Sequence, residues 1–104
     1  MIITAIVPQK QKKDRVNVFL DGRFALALDL ELIVKKKIKI GCRLNQQELD
    51  SLIKENEFLR YYNQALRFLT FRPRSKKEMS DYLRRKEVGE QTATLIIDKL
   101  EDKL

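Results

Sequence analysis

The apolar positions change their period halfway along the chain. From Ile2 to Leu28 the β-branched and aromatic residues Ile2, Ile3, Ile6, Val7, Val16, Val18, Phe19 and Phe24 fall in short runs divided by polar stretches, a pattern that predicts strands. Asp21-Gly22 separates Arg15-Val16-Asn17-Val18-Phe19-Leu20 from Arg23-Phe24-Ala25-Leu26-Ala27-Leu28. Two residues of this kind predict a type I′ hairpin, which needs positive φ at both central positions, and that register sets Phe19 opposite Phe24. Pro8-Gln9-Lys10-Gln11-Lys12-Lys13-Asp14 has no apolar residue but its proline and carries three lysines, so it reads as a surface loop.

Beyond Leu28 the period becomes helical. Asp29 can cap a short helix reaching roughly Lys36, and Gly41 marks a turn before an extended piece ending at Leu44. Asn45 with Glu48 forms a capping-box pattern, followed by Leu49, Leu52 and Ile53 on one stripe. If the helix continued, Phe58, Leu59, Tyr62, Ala65, Leu66 and Leu69 would lie on a face turned well away from that stripe, at about 100° per residue. The phase changes near Glu55-Asn56-Glu57, so either the helix breaks there or one long helix serves two cores in turn. The expected boundary separates an N-terminal β-containing unit, 1–55, from a three-helix unit, 56–104. Within the latter, Arg72-Pro73-Arg74 ends one helix and Ser75 with Glu78 starts another, whose buried stripe is Met79, Tyr82 and Leu83. Gly89 punctuates before a last helix with Ala93, Ile96, Ile97, Leu100 and Leu104 inward. Leu95 lies off that stripe, exposed or packed on something further. The expected fold class is α+β, a small antiparallel β unit with a short helix followed by a three-helix, helix-turn-helix-like bundle.

Composition narrows the chemistry. With 104 residues there is room for one compact domain or two very small units. No histidine and a single cysteine, Cys42, exclude imidazole catalysis, His/Cys zinc sites and intramolecular disulfides, so no metal and no cofactor is expected. The longest apolar run, Phe24 to Leu28, is far short of the roughly 20 residues that cross a bilayer, and a cytoplasmic protein is expected. Carboxylate pairs such as Glu55/Glu57 sit on an acidic, solvated helix, and the chain does not read as an enzyme.

Charge then singles out one stretch. The net charge is +7, yet residues 46–59 and 87–104 are acidic, while residues 60–86 hold nine bases against Glu78 and Asp81. On the middle helix Lys77 and Arg84 lie opposite the Met79/Tyr82/Leu83 stripe, so they should project with Arg72 and Arg74 as one exposed basic ridge, joined by Lys76, Arg85 and Lys86. Such a ridge is a solvated face or a contact for phosphates or an acidic protein. Lys10, Lys12 and Lys13 make a second cluster on the loop, and Lys35-Lys36-Lys37 ends the short helix. Tyr61 and Tyr62 are adjacent, and Phe68 and Phe71 flank a stripe already filled by Leu66 and Leu69, so one of each pair can be exposed, as packing or as a base-stacking platform.

Arg72-Pro73-Arg74-Ser75-Lys76-Lys77-Glu78-Met79, then Tyr82-Leu83-Arg84-Arg85-Lys86 and an amphipathic helix, closely resembles the first three-helix repeat of the RecX family of recombinase regulators. Ile3-Thr4-Ala5-Ile6 and the run from Val16 to Ala25 resemble the β-containing N-terminal extension of many bacterial members. The resemblance covers essentially the whole chain. It implies a non-catalytic regulator, usually an inhibitor, of the RecA recombinase in recombination, DNA repair and the SOS response, bound along the RecA filament on single-stranded DNA. It also implies that the basic ridge faces the filament's acidic groove, the DNA, or both. Family members continue into further three-helix repeats through an Asp-Asp and aromatic-Ala segment that this sequence lacks, so an N-terminal fragment is expected, with possible self-association through uncovered apolar surface. The alternative reading is a general nucleic-acid-binding helix-turn-helix-like module with Ser75 to Lys86 as recognition helix; against it, that helix has no Asn or Gln to read base edges, although Arg84 or Arg85 could do so.

Overall fold

A computed structural model describes residues 1–104. Three strands, β1 (Ile3–Pro8), β2 (Arg15–Leu20) and β3 (Arg23–Asp29), form an antiparallel sheet in the order β1-β2-β3. They are followed by α1 (Leu30–Lys35), α2 (Gln46–Phe71), α3 (Lys76–Arg85), α4 (Glu90–Leu100) and a closing 3-10 turn, Glu101–Lys103. The chain is thus α+β. No helix is long and apolar enough to cross a membrane. Contacts divide the chain into two compact units, Met1–Asn56 and Glu57–Leu104, and the division falls inside α2, which runs unbroken through the change of stripe.

In the first unit the hairpin turn is Asp21-Gly22, both with positive φ (50° and 79°), and Phe19 pairs with Phe24. Further along, Val18 pairs with Leu26 and Val16 with Leu28, so Ala25 is an extra residue, a β-bulge. The bulge has a physical purpose that simple alternation hides. Phe24, Leu26 and Leu28 are two apart and would share one face of a regular strand. The bulge resets the parity, leaving Phe24 outward beside Phe19 and turning Leu28 inward with Ile3, Val16, Val18 and Leu20, all buried. Leu32, Ile33 and Leu52 from α1 and α2 complete the buried set of this unit. A second bulge at Thr4 lets its Oγ1 accept from Gly22 N at 3.0 Å and donate to Phe19 O at 3.3 Å, tying β1 to the turn.

Gly22 illustrates how local this specification is. A Cβ there would meet nothing within 4 Å, so space is not the issue; the left-handed backbone is. Gly22→Ala is expected to cost about 1–2 kcal/mol through that conformation alone, read as a lower urea midpoint with an unchanged m-value.

One local expectation is corrected. Asp29 stands at the N-cap of α1 but makes no side-chain cap; its Oδ1 instead accepts from Arg15 Nη1 at 2.9 Å, and its N–H donates to Asn56 Oδ1 at 3.0 Å. A charge-assisted bond across the strands outcompetes the cap. Gly89 separates the last two helices as expected, as the N-cap of α4, and the left-handed residue that ends α3 is Glu87, with Val88 N donating to Leu83 O at 3.1 Å. In the second unit Ala65, Met79, Leu83, Val88, Ile96 and Leu100 form the core. Leu95 is 58% exposed.

Candidate functional site

The phase of α3 is fixed at its first turn. Ser75 Oγ accepts from Glu78 N at 3.1 Å and Glu78 Oε1 accepts from Ser75 N at 3.2 Å, so two orphan N–H groups are satisfied reciprocally. The other oxygen, Glu78 Oε2, lies 2.6 Å from Arg72 Nη2, which joins the turn before the helix to its first residues. Arg72, and then the Ser75 N–H, hold the Glu78 carboxyl below the usual range by favouring its charged form. With the helix started there, Met79 and Leu83 point into the core. Lys77 and Arg84, seven residues apart, are both exposed and fall on the same outward face.

The ridge is narrower than its sequence suggests. Lys77 and Arg85 are exposed and form no ion pair, while Arg84 Nη1 is 3.5 Å from Asp81 Oδ1 at a site where the arginine is 76% exposed, a weak and well-screened contact. Arg72 is exposed but shared with Glu78. Lys76 is paired with Glu101, whose hydrogen bond raises the lysine's pKa and keeps it charged, while the Glu101 carboxylate offsets that charge locally.

Arg74 does not belong to the exposed face. Its guanidinium carbon lies 3.8 Å from the centre of the Phe68 ring, the side chain is half-buried, and Nε is buried without a partner. Phe68 in turn stacks on Tyr82 with centroids 4.1 Å apart and planes 10° from parallel, so Arg74 and Tyr82 must take opposite faces of the ring. Lys86 Nζ is 5.6 Å from the Tyr82 centroid, which makes it partly a packing residue as well. A second group, absent from the sequence reading, places Lys99 Nζ at 4.8 Å from the Tyr62 ring and 5.6 Å from that of Phe58. Tyr61 and Tyr62 are both half-buried, whereas Phe71 is 78% exposed. The only sequence signal for these stacks was the aromatic spacing; nothing local says which cation will cover which ring.

Lys10, Lys12 and Lys13 are exposed on the β1–β2 loop and form no ion pairs. They belong to the first unit and the α3 cations to the second. No group of three or more His, Cys, Asp or Glu side chains is placed to hold a metal ion.

Two family profiles match in sequence order, "Regulatory protein RecX N-terminal domain" over residues 1–45 and "RecX, first three-helix domain" over residues 62–100. The regulatory protein RecX of Bacillus subtilis is 35% identical over 100 residues, and that of Staphylococcus aureus 32% identical over 96. The chain is covered to 96% and 92%, but spans only 38% and 35% of those relatives' lengths. A crystal structure of regulatory protein RecX superposes with a TM-score of 0.79 at 22% identity, covering 97% of this chain and 49% of that one, which establishes the shared fold.

Proposed function

Because the chain belongs to the RecX family of regulatory proteins, we propose that it regulates the RecA recombinase by docking on its filament on single-stranded DNA, without catalysing a reaction itself. The observation that carries this reading is the pair of RecX domains matched in order, the second built around an α3 whose outward face is cationic. Lys77, Arg84 and Arg85, supported by Arg72, form the contact; Arg74, Lys76 and Lys86 shape its rim from their packed or paired positions. A cationic strip of this kind accelerates encounter with a polyanionic filament and is weakened by salt. The setting is recombination and DNA repair in the cytoplasm, where the Cys42 thiol stays reduced.

The test is RecA ATP hydrolysis on single-stranded DNA. The unaltered chain is expected to slow hydrolysis. Lys77→Glu with Arg84→Glu should associate with the filament about tenfold to a hundredfold more slowly at low salt, with folding stability changed by less than about 1 kcal/mol because both side chains are exposed. Equal inhibition by the double variant would place the contact elsewhere, and no inhibition by the unaltered chain would overturn the filament reading.

A further inference from the structure

The outer face of the N-terminal sheet has a composition that the filament reading leaves unused. The buried residues of β1, β2 and β3 all lie on the other face. Outward, one rung carries Ala5, Phe19 and Phe24, and the next rung of that face carries Val7, Asn17 and Ala27. Phe24 is 57% and Val7 46% exposed. Phe19 and Phe24 meet edge to face, centroids 6.0 Å apart and planes at 77°, an arrangement that leaves much of the Phe24 ring open. Toward the other end the same face turns polar. Gln9 Nε2 donates to Asn17 Oδ1 at 2.9 Å and Arg15 pairs with Asp29, and there the unpaired Lys10, Lys12 and Lys13 crown the sheet. Four residues of β2 separate the Phe19 rung from Arg15, about 13 Å.

We propose that this face binds single-stranded nucleic acid, an unpaired base stacking on Phe24 while backbone phosphates run toward Lys10, Lys12 and Lys13. Two observations and one general pattern converge on that occupant. The Ala25 bulge is what keeps Phe24 outward when its neighbours two and four residues on turn inward, and bulges commonly re-aim a side chain next to a site. The exposed ring shares its face with the amides of Asn17 and Gln9, and lysines without carboxylate partners lie beyond them at the far end of the sheet, whereas the centre of a protein–protein interface is depleted in lysine. An open aromatic ring with cations a few nucleotides' span away along the same face suits sequence-tolerant single-strand binding, in which bases stack and phosphates meet lysines. This contact is separate from α3, lies in the other unit and does not require the recombinase.

The sequence contains no tryptophan, so Phe24→Trp places a single indole at the proposed stacking point. Titrating that variant with oligo(dT), oligo(U) and a duplex of equal length is expected to quench its emission saturably with the single strands and not with the duplex; the ratio of the first two affinities tells DNA from RNA. Phe24→Ala should bind oligo(dT) about fivefold to a hundredfold more weakly, the range for loss of one stacked base. Lys12→Ala with Lys13→Ala should lower the slope of log affinity against log salt by about 1.4, from about 0.7 per phosphate contact. Binding without quenching, quenching by duplex alone, or no saturable quenching would overturn the proposal. Should Phe24→Ala fold poorly by circular dichroism, the tryptophan titration decides alone. Repeating it with Lys77→Glu/Arg84→Glu present separates the two readings. Quenching retained with inhibition lost leaves this proposal standing, and inhibition retained with quenching absent removes it without touching the filament contact.

Discussion

Leu83→Ala is expected to lower the stability of the helical unit by about 2–5 kcal/mol, the range for deleting three carbons from a core that cannot collapse around the gap. Leu83 is fully buried among Met79, Ala65, Val88, Ile96 and Leu100, and each of the three helices contributes to that cluster. A unit this small has a total stability of only roughly 3–5 kcal/mol, so the variant should be largely unfolded in that half at room temperature. The reporter is built in: Tyr61, Tyr62 and Tyr82 all lie in Glu57–Leu104, and there is no tryptophan to mask them. Tyrosine fluorescence in a urea titration therefore reads this unit, and a midpoint equal to that of the unaltered chain would show that Leu83 does not hold it together.

The mirror-image experiment is Leu28→Ala, with an expected loss of about 2–5 kcal/mol in the first unit. Leu28 is 1% exposed and meets the other inward residues of the sheet only because the bulge at Ala25 turns it that way. Amide hydrogen exchange at Val16 and Val18 should accelerate strongly, while the tyrosine transition moves much less. A tyrosine transition displaced by the full amount would mean that α2, which enters both units, welds them into one cooperative block.

The contrast between α3 and the rest of the basic segment shows why some of the surface was legible and some was not. Ser75 and Glu78 satisfy each other's N–H groups within one turn, so the helix start, its phase and hence the outward direction of Lys77 and Arg84 follow from four residues in a row. Asn45 and Glu48 act in the same way at α2, with Asn45 Oδ1 accepting from Glu48 N at 2.7 Å. Arg74 is different. Its neighbours in sequence say only that it is charged and near a proline; its place over Phe68 depends on a ring six residues earlier that is itself positioned by Tyr82 from the facing helix. Lys76 and Glu101 likewise meet across 25 positions.

By itself, then, the sequence determined what neighbours within a turn can decide: the Asp21-Gly22 hairpin and its Phe19–Phe24 pair, the two capping boxes, the inward stripes of α3 and α4, and the family to which the motifs point. These follow from φ preferences, orphan N–H groups and the helical period, all of them short-range. Only the tertiary structure decided that Ala25 bulges, that Asp29 serves Arg15 rather than the helix it begins, that α2 stays continuous through its change of stripe, and that Arg74 is a packing residue. In each of those cases the local backbone tolerates more than one state. The choice is made by burial of apolar area and by charge-assisted bonds to residues distant in sequence, which exist only once the strands and helices have met.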